Sequence, residues 1–233
     1  MIDRRARLVD TSAPMNQPSL YFAPWVSAHR SMKSLVSALC TCLMAYLVQT
    51  AFAEGAPSPT QPVDKLNATL IEVMKDAQRL GYTGRYKKLE PVIKEVFQFD
   101  TIAQVALGGH WKKLDTAQQQ TFIMKLTDLS IATYASQFDS YEGQVFRFDA
   151  TDIARPDRAV VRYTMTGPKE PKKFEYIVNR TGDKWQIVNV VVDGISDLAL
   201  KKAQYTSVID REGFASLLVK LTQKTADYAK KGS

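Results

Sequence analysis

Cysteine occurs twice in this 233-residue chain, and both copies, Cys40 and Cys42, fall inside one N-terminal apolar run. Beyond residue 53 there is none, which excludes a thiol nucleophile, a disulfide and a cysteine metal site from the rest of the chain. Histidine is nearly as scarce: after that run only His110 remains. A lone histidine cannot build a metal cluster, and its usual role is structural. No G-x-S-x-G pattern is present, and Gly108-Gly109 lacks the length and the following Lys of a phosphate loop. No cofactor is expected. No apolar run reaches the roughly 20 residues of a membrane-spanning helix. Lysine doublets at Lys112-Lys113, Lys172-Lys173, Lys201-Lys202 and Lys230-Lys231 are scattered along the chain. They read as solvated faces and form no basic strip with interleaved aromatics, so nucleic acid is not an expected partner.

What is present begins with a leader. Met32-Lys33 precedes a mainly apolar run from Leu35 to Val48, and Ala51-Phe52-Ala53 supplies an A-x-A cleavage pattern. This order reads as a secretory signal peptide, with Met32 a plausible start and residues 1–31 an upstream extension. Cleavage after Ala53 is the expectation, leaving 54–233 as one domain. Of the 31 basic residues five precede Glu54, and of the 24 acidic ones two do, so the mature chain keeps a formal charge of +4. That balance suits an anionic membrane surface or an acidic partner, and equally plain solubility.

Periodicity divides the mature chain into three parts: helical over 62–140, a sheet over 144–193 and C-terminal helices over 196–230. Leu66, Leu70, Val73, Met74 and Ala77 share a helical stripe within Val63 to Leu80, with Gly81 as its stop. A second helix is expected over Tyr86 to Phe97, with Pro91 in its first turn. Asp100 is expected to cap a short third helix ending at Gly108-Gly109. Asp115-Thr-Ala-Gln118 has capping-box spacing ahead of a long helix to about Phe138. Alternation then takes over in four stretches: Gln144 to Ala150, Ala159 to Thr166, Lys172 to Arg180, and Trp185 to Val192. Short links between them imply an antiparallel meander. In the last stretch strict alternation puts Trp185, Ile187, Asn189 and Val191 on one face and Gln186, Val188, Val190 and Val192 on the other. That strand therefore reads as apolar on both sides. Asp193-Gly194 is a turn, Ser196 a helix N-cap, and two closing helices break at Glu212-Gly213. Asp193 and Asp197 fit turn and cap roles better than a carboxylate pair.

Helices, then strands, then helices is an α+β order: a twisted antiparallel sheet of about four strands packed with about six helices. One sheet face is aromatic, with Phe146, Phe148, Tyr163, Phe174 and Tyr176. The helices bring Phe99, Trp111, Tyr134 and Tyr205, with Leu126 and Leu129 on the long helix. Val190 and Ile195 lie beside the last strand's end. The space between these layers is either filled by side chains or open to an apolar ligand, and composition allows both.

Phe97-x-Phe-Asp100, Leu107-Gly-x-x-Trp111, Asp115-Thr-Ala-Gln-Gln119 and Thr133-Tyr-Ala135 resemble the toluene-tolerance/MlaC family. Trp185 to Ser196 and Ser207-Val-Ile-x-x-x-Gly213-Phe-x-x-Leu217 resemble it too. The stretch Val190 to Leu200 is similar to the hopanoid-associated HpnM branch. The family often has arginine and tyrosine before the tryptophan, where this chain has Gly109 and His110, so no role is carried over to them. The resemblance implies a soluble periplasmic lipid carrier with a hydrophobic cavity between sheet and helices. It implies a phospholipid or hopanoid ligand, an inner-membrane ABC transporter complex and an outer-membrane lipid partner, with transient membrane contact and no catalysis. The thirteen residues named in the preceding paragraph are the expected lipid-binding set. The competing readings are an enzyme of a cone-shaped α+β fold using His110 and a carboxylate on a small apolar substrate, and a structural envelope protein with a solid core.

Overall fold

Alternation builds a five-stranded antiparallel sheet with the meander order expected of short links: β1 (Val145–Arg155), β2 (Arg158–Thr166), β3 (Lys172–Thr181), β4 (Lys184–Val192) and β5 (Ile195–Ser196). The structure is a computed structural model, and it describes residues 57–231. These belong to a compact unit, Gly55–Ser233. The expected leader and its cleavage point lie outside the described residues. Among the described residues there are five α-helices against about six expected, the last of them kinked at Gly213 (φ 85°, ψ 165°), where the sequence places a break, and five strands against about four. The helices are α1 (Gln61–Lys75), α2 (Ala77–Val96), α3 (Phe99–Leu107), α4 (Thr116–Gln137) and α5 (Asp197–Lys231), with a 3₁₀ turn at Gly108–Lys113.

The apolar stripe of α1 is buried as its period requires: Val63, Leu66, Leu70 and Val73 are essentially inaccessible. The stripe misplaces the helix end, because α1 stops at Asp76 and a new helix starts at Ala77. Gly81 does interrupt the helix, with φ 57° and ψ −177°, a conformation glycine adopts without steric cost. Pro91 lies inside α2 rather than in its first turn. It sits on the exposed side, where the Lys87 carbonyl it leaves without an N–H donor can turn to water. Gln98, not Asp100, occupies the N-cap position of α3 and makes no side-chain cap; Asp100 stands in the first turn, where its charge favours the helix dipole. The α4 capping box forms: the Gln118 amide donates to Asp115 Oδ1 at 2.8 Å and the Asp115 amide donates to Gln118 Oε1 at 3.1 Å.

Two bulges decide which residues the sheet presents to the helices. In β4 Asn189 pairs with Ile177 while Ile187 pairs with Val178, so Val188 is an extra residue. The bulge shifts the alternation by one. The inner face of β4 therefore carries Trp185, Ile187, Val190 and Val192, and the outer face carries Gln186, Asn189 and Val191. The expected two-sided apolar strand is in fact a one-sided strand with a bulge. Turned outward, Asn189 holds the start of α5. Its Oδ1 accepts from the Leu198 amide at 3.1 Å, while Ser196 Oγ accepts from the Ala199 amide at 3.1 Å. Ser196 is the N-cap its position implies, and Asn189 doubles it. In β1 the register skips Asp149 between Phe148 and Ala150, and the strand continues to Arg155 past its expected end.

Candidate functional site

With the bulges in place, cross-strand register lines up the inner face in rows. One row spans all five strands: Phe148, Tyr163, Phe174, Val192 and Ile195. The next holds Thr151, Val161, Tyr176 and Val190, and a third Ile153, Ala159, Val178 and Ile187. None of these thirteen side chains is charged. The opposite face is polar, with Arg162 bridging Asp152 and, at 2.9 Å, Glu175. The aromatic members form a continuous patch: Phe146 meets Phe174 edge-on at 5.5 Å, Phe148 meets Tyr163 at 5.6 Å, and Phe174 stacks on Tyr176 at 6.0 Å. Such pairs add about 0.5–1.5 kcal/mol each beyond area burial.

The helices cover the middle of this face and leave its ends bare. Tyr163, Phe174 and Tyr176 are buried, whereas Phe148 is 54% and Ile195 60% exposed. The cover is α1 over the sheet, with α2, α3 and α5 reaching β4. Two hydrogen bonds pin α1 down. The Tyr163 hydroxyl donates to Asp64, and the Tyr176 hydroxyl donates to Asn67 Oδ1 at 2.9 Å. Asp64 and Asn67 are one helical turn apart and so reach the same surface. Ahead of α1, the Pro57 carbonyl accepts from Trp185 Nε1 at 2.9 Å. Burial pushes the Tyr163 and Tyr176 phenols well above the ordinary tyrosine range, so both hold their protons and donate.

Phe99, Leu126, Leu129, Tyr163, Phe174, Tyr176, Val190 and Tyr205 belong to one buried cluster, with Trp111, Tyr134 and Phe146 packed against it. Phe148 and Ile195 stand outside, at the row ends. Leu126 and Leu129 sit on α4, which packs chiefly against α2, α3 and α5 rather than on the sheet. Phe122, also on α4, meets Tyr205 edge-on at 6.0 Å, an aromatic contact within the helical layer. The Tyr134 phenol is likewise pushed up by burial, and its ring packs 5.9 Å from Phe97 and 5.7 Å from Phe138. Two clefts lie elsewhere. One of ≈ 340 Å³ includes Phe97, Phe99, Ile123 and Gln186; the other, of ≈ 580 Å³, runs between α2, α4 and α5 and includes Tyr82, Tyr86, Asp128 and Thr225.

Asp64 and Asn67 were not in the expected set. Their signal was legible: Asn67 interrupts the apolar stripe of α1 three residues before Leu70. His110 Nε2 lies 3.0 Å from Asp210 Oδ1, tying the 3₁₀ turn to α5. Asp197 pairs with Lys201, and Asp193 Oδ1 accepts from the Lys173 amide at 2.9 Å, so neither carboxylate faces the other as an acid–base couple. Among the described residues no three His, Cys, Asp or Glu side chains converge as metal ligands would.

An apolar inner face under a helical cover, preceded by the 61–137 helices, is an arrangement other proteins share. The family model described as MlaC protein matches residues 64–223. The chain belongs to the MlaC protein family. A solved structure from the same fold is the phospholipid-binding protein from Ralstonia solanacearum, determined in complex with a phospholipid. It aligns with a TM-score of 0.65 at 24% identity, covering 75% of this chain and 98% of that one. At that identity the likeness is one of fold. Among curated proteins none matches the sequence. Among the described residues no helix is long and apolar enough to cross a membrane, and the family match covers helices and sheet together.

Proposed function

We propose that this member of the MlaC family is a periplasmic lipid carrier, not an enzyme. It takes the acyl or polycyclic apolar part of a phospholipid or hopanoid between sheet and helices. One observation carries the reading: an uncharged row crosses all five strands, covered in the middle and bare at Phe148 and Ile195. Apolar surface left bare at both ends of a buried stripe is where a long apolar chain gains most, at roughly 0.8 kcal/mol per buried methylene. α1 is the element that yields to admit the lipid. It is held by two tyrosine hydroxyls and followed by breaks at Asp76 and Gly81.

The family membership and the phospholipid in the Ralstonia neighbour support this reading. The similarity of Val190 to Leu200 to the HpnM branch favours a hopanoid-linked setting. In that setting the carrier exchanges lipid with an inner-membrane ABC transporter complex and an outer-membrane partner, after export and cleavage near Ala53. Gentle purification followed by lipid extraction and mass spectrometry tests it. A lipid bound in near-stoichiometric amount is the expected result. A protein free of lipid that takes none from vesicles overturns the reading.

A further inference from the structure

The layer between α1 and the sheet holds one side chain whose chemistry an acyl chain does not explain. Asn67 is 4% exposed and faces the Tyr176 row. Its Oδ1 accepts from Tyr176, yet its Nδ2 has no partner within the protein. A buried donor left unmade is costly, and native proteins seldom keep one without a use. A second unpartnered group, Thr151 Oγ1, lies on the same row two strands from Tyr176. One unpartnered group on α1 facing this row and another within the row mark a place for a ligand that is apolar with a polar interruption.

The surroundings narrow that interruption. The three rows carry no cation, and Asp64 stands one turn away on α1, so a phosphate would be desolvated beside a carboxylate with nothing to neutralise it. A hydroxyl would satisfy the amide but bring an unpaired proton of its own. An ester carbonyl is an acceptor only and adds no donor to satisfy. We propose that Asn67 Nδ2 donates to an ester carbonyl of an acylglycerol lipid, and that this bond makes the carrier prefer ester-linked over ether-linked lipid. The inference rests on the lipid-carrier reading. An ether lipid offers the same chains and headgroup with a poor acceptor in place of the carbonyl, and leaves the amide unpaired.

The test incubates the full-length protein with vesicles containing diester and diether phosphatidylglycerol of matched chains in equal amounts. Captured lipid is then quantified by mass spectrometry. The wild-type protein is expected to hold about five- to tenfold more ester than ether lipid, the range one net hydrogen bond supports. Asn67→Leu is expected to bind both with a ratio near one. Should that variant fail to fold by thermal melting, Asn67→Ala, which removes the amide donor without adding bulk, is expected to bring the ratio towards one in its folded fraction. A wild-type ratio near one overturns the proposal, as does a folded Asn67→Leu that keeps the wild-type preference. A wild-type protein that captures neither lipid removes the carrier reading itself, a different result from equal capture of both.

Discussion

Arg85 Nε donates to the Ala135 carbonyl at 2.8 Å, and its Nη1 donates to the Ala77 carbonyl at 3.2 Å. A guanidinium only 5% exposed thus closes the last turn of α4 and the first turn of α2 together. Cations favour helix C-termini because the last carbonyls lack intrahelical donors. Replacing Arg85 with Met keeps most of the volume and leaves the buried Ala135 carbonyl at the end of α4 without its donor. The expected loss is about 1–3 kcal/mol, read by urea denaturation with an unchanged m-value.

The bulge at Val188 makes a paired test of the site. Val192 faces the helices between Phe174 and Ile195, whereas Val191 faces outward opposite Glu175. Val192→Trp should fill the row near its bare end and abolish lipid capture. Val191→Trp should leave capture intact. Both positions are half-buried, so each is expected to shift stability by about 1 kcal/mol or less, checked by thermal melting. Equal capture by both variants would remove the inner face as the site.

Leu126 is fully buried in the helical layer and packs away from the sheet. Leu126→Trp should overpack that layer and destabilise by about 1–3 kcal/mol. The expected signature is an earlier melt with lipid capture retained in the folded fraction.

Burial holds several phenols protonated. Those of Tyr134, Tyr163, Tyr176 and Tyr205 are pushed well up, and that of Tyr86 to about 12. A phenol whose folded value lies above its unfolded one near 10.0 contributes stability that is complete below pH 10. That contribution fades as pH rises from 10 towards the folded values. Titration by tyrosinate absorbance alongside circular dichroism should show these groups ionising only as structure is lost. Ionisation of all the tyrosines near pH 10 with the fold intact would contradict it.

Residues 54–233 carry a formal charge of +4, which predicts that lipid transfer to anionic vesicles slows as salt rises. Screening shortens the reach of surface charges to about 8–10 Å near physiological ionic strength. Stopped-flow transfer of a fluorescent phospholipid measures this, with neutral vesicles as the salt-indifferent control. A rate to anionic vesicles unchanged by salt would exclude electrostatic docking.

Local patterns in the sequence determined much of this protein. The α1 stripe, the Asp115 capping box, the Asp193-Gly194 turn, the Ser196 cap and the meander order each follow from interactions within a few residues, which the chain carries wherever it goes. Tertiary structure decided the faces. An extra residue at Val188 or Asp149 leaves no visible mark on the local pattern, because each scores the same in a period-two count whether it is paired or bulged. Only the register with β2 and β3, which goes with the burial of Tyr163, Tyr176 and Val178, fixes where alternation slips. The same holds for the covering layer. Nothing near Leu126 in sequence says that α4 packs on helices instead of the sheet. Asn67 meets Tyr176 across a sequence separation of 109 positions, a contact that exists only once both layers have formed.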